Sequence, residues 1–133
     1  DAALSVGRTF SDSESGVAIT LQSISPTGAL VNIGINRPAD TTNPNAWFIR
    51  PVNGYIVSGR TTSIIGAASD NNGITRIDIF VDNELKKTCQ GNIFYCQYDI
   101  SNRRLSSGAH TLITEAYDAA GNIGTSEPVV IYK

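Results

Sequence analysis

Along residues 109–118 apolar and polar positions alternate, as they do in a strand whose two faces meet different surroundings. His110, Leu112, Thr114 and Ala116 share one side and are assigned inward; Thr111, Ile113, Glu115 and Tyr117 share the other. The surrounding stretch, LSSGAHTLITEAYDAAGN over Leu105–Asn122, reads as a corner, a long central strand and a tight turn. A second alternation sets Ile77, Ile79 and Val81 on a core face and Arg76, Asp78 and Asp82 on the opposite one. Ile64, Gly66 and Ala68 form the inward set of the strand before it, although Ile65 leaves that register open.

From Trp47 onward the pattern predicts strands near 47–50, 55–58, 62–69, 74–82, 85–89, 93–98, 109–118 and 127–132, an all-β sandwich. Asn53-Gly54, Asn72-Gly73 and Asp82-Asn83 supply turns between them, because Asn and Gly tolerate positive φ. Asp99–Ser107 reads as a helical turn crossing between sheets. Residues 1–38 form a separate β-hairpin segment. Val17, Ile19 and Leu21 alternate with Ala18, Thr20 and Gln22, and Leu30–Ile35 return after Pro26-Thr27-Gly28. A lone hairpin is marginal in water, so it must pack on the sandwich, on another copy or on a preceding domain. The turn formers and prolines of residues 39–46, with Pro38 before them and Pro44 among them, mark a linker.

Composition narrows this picture. A chain of 133 residues, 41% hydrophobic and 17% charged, can bury one substantial core. No stretch sustains helical periodicity, and no apolar run is long enough to insert in a membrane. The net charge of −2 offers no field for nucleic acid. The chain contains no Met and begins at Asp1, which reads as a mature or excised piece of a longer protein. Cys89 and Cys96 flank the turn Gln90-Gly91-Asn92 in two extended stretches, a spacing that favours a cross-strand disulfide over a metal half-site. A disulfide implies an oxidising, extracytoplasmic home, so a secreted or cell-surface location is expected.

Four ordered motifs carry a resemblance. Ala68, Asp70, Gly73 and Ile74, then Val81-Asp82, then Leu105, Gly108 and His110, then Ala116, Asp118, Gly121 and Asn122 stand where bacterial immunoglobulin-like modules of extracellular hydrolases and adhesins show A-x-D-x-x-G-I, V-D-G, L-x-x-G-x-H and A-x-D-x-x-G-N. Asn83 replaces the usual glycine. The resemblance covers about residues 47–133 and implies a non-catalytic module whose ligand varies between relatives. Residues 7–35 resemble the last β segment of gametolysin-type secreted metalloproteases, but the chain lacks the His-Glu-x-x-His helix that would hold zinc, so no catalytic role is carried over.

The residues that could carry chemistry are few. His110, the one histidine, lacks a nucleophile at recognisable spacing; the expectation is a structural corner of Leu105, Gly108 and His110 in which the ring bonds back to corner backbone. Asp70, Asn72, Asp118 and Asn122 belong to loops at one end of a sandwich and could hold Ca²⁺, yet their spacing fits no calcium loop, and such residues commonly satisfy their own turn amides. No other cofactor is expected. Asp12 and Glu14 read as a solvated turn, and Arg103 and Arg104 as solvated charges. Trp47, Tyr55 and Tyr95 could form a stacking platform for polysaccharide, although Trp47 is expected to cover an open end of the core. These features predict a non-enzymatic accessory module that spaces, docks or holds a protein partner or a neighbouring domain. The alternatives are a carbohydrate-binding or adhesive module, and a filament subunit assembling by strand exchange.

Overall fold

A computed structural model describes residues 4–36 and 39–133, divided into two compact units, Asp1–Ala39 and Asp40–Lys133. Arg37 and Pro38, at the expected end of the hairpin segment, lie outside the described residues. Among the described residues no helix is long and apolar enough to cross a membrane.

The first unit is one antiparallel layer of three strands: β1 (Thr9–Asp12), β2 (Val17–Ser25) and β3 (Gly28–Ile35), in that order. The sequence pattern reveals β2 and β3; β1 is only four residues long and one of them is apolar, too little for a period to show. Register places Phe10, Ile19 and Ile33 side by side, and Thr9, Thr20 and Asn32 side by side. Because side chains alternate across a sheet, these two rows stand on opposite faces, the second closed by a 2.8 Å hydrogen bond between the Thr9 and Thr20 hydroxyls.

The second unit contains β4 (Asn45–Arg50), β5 (Tyr55–Ile56), β6 (Thr61–Ser69), β7 (Ile74–Val81), β8 (Glu84–Gln90), β9 (Tyr95–Ser101), a 3₁₀ turn (Asn102–Arg104), β10 (Ala109–Asp118), β11 (Ile123–Thr125) and β12 (Val129–Tyr132). A three-stranded sheet in the order β4-β6-β9 faces a sheet in the order β5-β12-β10-β7-β8, with β11 also paired to β10. All pairs are antiparallel except β5 with β12. The second sheet is organised on β10, which pairs with β7 along one edge and with β12 and β11 in succession along the other. The sequence pattern places a single strand at 127–132, and β11 escapes it. Between β11 and β12 the ladder is carried by Ser126, whose amide donates to the Thr114 carbonyl at 2.9 Å and whose hydroxyl accepts from the Thr114 amide at 3.1 Å. A side chain thus supplies the acceptor where the backbone turns towards Pro128.

The core lies between these sheets. Ile64 of β6, Ile77 and Ile79 of β7, Leu112 and Ala116 of β10 and Ile131 of β12 are all fully buried, and His110, Leu112, Thr114 and Ala116 all face inward. Ile64, Gly66 and Ala68 point the same way, which resolves the register that Ile65 left open. Gly66 lets the sheets approach closely, since a Cβ there would lie 2.5 Å from Thr114 Oγ1 of the opposite sheet. The β7–β8 turn is made by Asp82 and Asn83, both at positive φ, 52° and 65°.

Cys89 and Cys96 are bonded. The expected disulfide between two extended stretches is present, and the strands it joins, β8 and β9, belong to different sheets, with residues 91–94 crossing between them. The bond therefore ties the edge of one sheet to the edge of the other, with Cys96 inside the core.

Candidate functional site

His110 stands at the start of β10 and is buried. Its Nε2 lies 3.0 Å from the carbonyl oxygen of Ser106, and its Nδ1 lies 2.7 Å from Oδ2 of Asp82. A carbonyl only accepts, so Nε2 carries a proton and donates; an ionised carboxylate only accepts, so Nδ1 does the same. In its protonated form the ring commits both N–H donors to these acceptors and keeps no lone pair for base catalysis. Hydrogen bonding to Asp82 first, and to Ser106 next, raises its pKa above the ordinary 6.5. For Asp82 burial opposes ionisation, but bonds from His110 and from the Thr111 amide, 2.9 Å from Oδ1, outweigh it and hold the carboxyl below its ordinary 3.8.

The signs follow from linkage. The histidine contribution is complete below pH 6.5 and fades as pH rises through the higher folded value; the aspartate contribution is complete above pH 3.8 and fades as pH falls through the lower one. The clip thus ties the β7–β8 turn to the corner at the start of β10. Leu105 and Gly108 complete that corner: the Leu105 carbonyl accepts from Lys133 Nζ at 2.6 Å, and Gly108 exchanges two backbone bonds of 2.9 Å with Lys133. Asp82, read from sequence as a turn residue, is the partner that reasoning missed. The hollow beside the ring, about 290 Å³, is walled by Asp82, Glu84, Lys86, Tyr98, Arg104 and Ser106 among others; Ser106 meets the imidazole through its backbone carbonyl, and among the described residues no serine hydroxyl or cysteine thiol is hydrogen-bonded to the ring.

At the opposite end of β10, Asp70 and Asp118 come together with Asp40, one oxygen from each lying within 4.8 Å of the others. Asn72 and Asn122 join them. Such an oxygen set is what a hard divalent cation takes. Here, however, the amide groups turn their N–H bonds towards the acids. Asn72 Nδ2 donates to Asp40 Oδ2 at 2.6 Å, and Asn122 Nδ2 donates to Asp118 Oδ2 at 2.6 Å and to the Asp40 carbonyl at 3.1 Å. Asp118 Oδ1 also accepts from the Gly121 and Asn122 amides at 2.7 and 2.8 Å, and Asp70 Oδ2 from the Asn72 amide at 2.8 Å. Burial pushes the Asp118 pKa up, and these donors bring it below the ordinary value. The Asn72 amide does the same for Asp40.

The cluster therefore binds three chain segments to one another: the lead-in to β4, the β6–β7 loop and the β10–β11 turn. Asp40 was hidden because it sits in a stretch whose composition signals only a linker. Replacing Asp118 with alanine is expected to lower the thermal midpoint by roughly 5–10 °C through the lost acceptors, read by calorimetry. A chelator is expected to leave the parent midpoint unchanged, since amide N–H donors already occupy the carboxylate oxygens.

The aromatic candidates divide. Trp47, Ala67 and Tyr95 are cross-strand neighbours on β4, β6 and β9, so they form one row across the outer face of the three-stranded sheet. Ala67 is 1% exposed although it lies outside the inter-sheet core, whereas Trp47 is 40% and Tyr95 47% exposed. Trp47 and Tyr95 flank the alanine from strands about 9.5 Å apart. Phe94 extends the row, its ring 5.0 Å from that of Tyr95 and edge-on to it. Trp47 therefore does not cover the core, as the sequence suggested; Ala46 points inward and Trp47 outward. Tyr55 is not part of the row. It lies on β5 beside Pro51, Val52 and Thr61.

Comparison with known proteins places this architecture. No curated protein matches the chain in sequence. Among solved structures, fibronectin(III)-like modules of CbhA from Clostridium thermocellum align with 65% of this chain and 93% of their own at 19% identity and a TM-score of 0.48. The endo-beta-1,4-mannanase of Thermotoga petrophila aligns over 70% of this chain at 17% identity and a TM-score of 0.53. The spore cortex lytic enzyme SleM of Clostridium perfringens aligns over 86% at 14% identity and a TM-score of 0.49. The chain spans 20% of the mannanase and 38% of SleM. Residues 44–113, more than half of the chain, match the bacterial Ig domain family, and the chain belongs to that family.

Proposed function

We propose that this chain serves as a non-catalytic accessory module of a larger extracytoplasmic protein, positioning a neighbouring domain on its substrate or partner. The observation that carries the reading is the state of His110: the chain's one histidine has both ring nitrogens committed to acceptors and serves as a clip between loops. The bacterial Ig family and the fold shared with part of a mannanase support an accessory role, and the inter-sheet disulfide supports an oxidising compartment. In the full-length gene product, His110→Gln is expected to leave turnover unchanged while lowering stability. Loss of turnover with the fold intact would refute the reading.

A second reading rests on the row of Trp47, Ala67 and Tyr95. Two exposed rings flanking a small residue, with Gln97 and Asp99 beyond Tyr95 on the same face, offer flat apolar surfaces for sugar rings and polar groups for their hydroxyls. On this reading the ligand is a polysaccharide. Retention of the chain on insoluble β-1,4-mannan, chosen because the mannanase shares the fold, should be lost in Trp47→Ala and in Tyr95→Ala. Equal retention of parent and variants would refute it.

A further inference from the structure

β3 is a sheet edge without protection. It closes one side of the β1-β2-β3 layer, and every residue of Gly28–Ile35 is exposed. It carries no charged residue, no proline and no bulge of its own, since the register shift against β2 falls on Gln22 of that strand. The other edges among the described residues are each blunted in a way that discourages pairing with another chain. β1 and β5 are only 4 and 2 residues long. β8 carries Lys86 and Lys87, β9 carries Asp99 and is bonded to β8 through Cys96, and β4 is interrupted by a register shift and followed by Pro51.

The backbone of β3 dictates the shape of what it can receive. The Asn36 amide donates to the Gly16 carbonyl at 2.7 Å, so the even-numbered residues of β3 turn their N–H and C=O groups to β2. Ala29, Val31, Ile33 and Ile35 turn theirs outward, an unpaired ladder along the strand. The side chains of the same four residues share the face of Ile19. A partner strand must therefore present outward backbone groups and apolar side chains on the same alternate residues, or its apolar side chains fall on the polar face. A second copy of β3 meets this condition. With the Asn32 residues of two antiparallel copies on a two-fold axis, Val31 stands opposite Ile33 of the second copy and Ala29 opposite its Ile35. These are hydrogen-bonded pairs, two bonds each, while Asn32 faces Asn32 at a non-hydrogen-bonded position.

We propose that a second copy of this chain binds along β3, antiparallel and centred on Asn32, so that two three-stranded layers join into one continuous sheet in the order β1-β2-β3-β3-β2-β1. An isologous pairing uses the same edge on both copies and closes on itself, so the assembly stops at a dimer and does not grow into a filament.

The test follows the 133-residue chain by sedimentation, together with Val31→Pro, Asn32→Cys and Leu30→Cys. The parent should pass from monomer to dimer between micromolar and millimolar concentration. Val31→Pro removes an outward N–H that the chain's own layer does not use, so this variant should keep the parent's circular dichroism spectrum and remain monomeric throughout. Under mild oxidation Asn32→Cys should form a disulfide-linked dimer, because non-hydrogen-bonded partners stand about 4.5 Å apart at Cα, within reach of a disulfide. Leu30→Cys, which this register sets opposite Gly34, should not. A parent that stays monomeric, a dimer that Val31→Pro leaves intact, equal cross-linking of the two cysteine variants, or species larger than a dimer would each overturn the proposal.

Discussion

Replacing Leu112 with alanine is expected to cost about 3–5 kcal/mol, a substantial fraction of the 5–15 kcal/mol that holds a domain of this size together. Leu112 is fully buried on the central strand, opposite Val81 of β7 and Val129 of β12, and it faces the β4-β6-β9 sheet across the core. Strands on both sides fix the backbone through their ladders, so the site cannot collapse into the space the side chain leaves. The cavity term then adds to the lost transfer energy. Denaturant melts followed by far-UV circular dichroism give the number. A loss below 1 kcal/mol would mean that the sandwich is not centred on this strand.

The second large effect is at Gly66. An alanine Cβ would stand 2.5 Å from Thr114 Oγ1 and 3.0 Å from Thr114 Cβ. That threonine has nowhere to go: it is fully buried, and its hydroxyl donates to the Asp78 carbonyl at 2.9 Å. Either the sheets separate, losing contact across the core, or the hydroxyl rotates and leaves a buried acceptor without its donor. Gly66→Ala is expected to cost about 2–4 kcal/mol by these routes. The mechanism predicts coupling as well as loss. Adding Thr114→Ala to Gly66→Ala should cost less than the sum of the two by roughly 1 kcal/mol or more, because the oxygen that clashes is gone. Strict additivity would place the strain elsewhere.

Much of this architecture was legible in the chain. The strands that alternate, β7 and β10, were readable because one face is uniformly apolar, and the Asp82-Asn83 turn was readable because few other residue pairs adopt positive φ twice in succession. Strands that do not alternate were harder to see. β1 has one apolar residue, and β11 is three residues held partly by the Ser126 hydroxyl. The assignment of β8 and β9 to different sheets has no local signature, since a short loop between two extended runs reads as a hairpin whether or not the strands pair.

The candidate sites followed the same logic. Asp70, Asn72, Asp118 and Asn122 could be grouped from topology, but Asp40 could not, because its role depends on a contact with residues more than thirty positions away. The partnership of Trp47 and Tyr95 depended on register across β6, which the ambiguous Ile65 concealed.

The structural role of His110 rests on a ring that donates from both nitrogens. The direct measurement is a ¹⁵N–¹H spectrum of the imidazole followed across pH. At neutral pH both Nδ1 and Nε2 should carry slowly exchanging protons, with a midpoint above the ordinary 6.5, and Asp82→Asn should bring that midpoint down. A ring that is neutral at pH 7, with one nitrogen unprotonated and open to solvent, would contradict the account and reopen the question of chemistry at the corner.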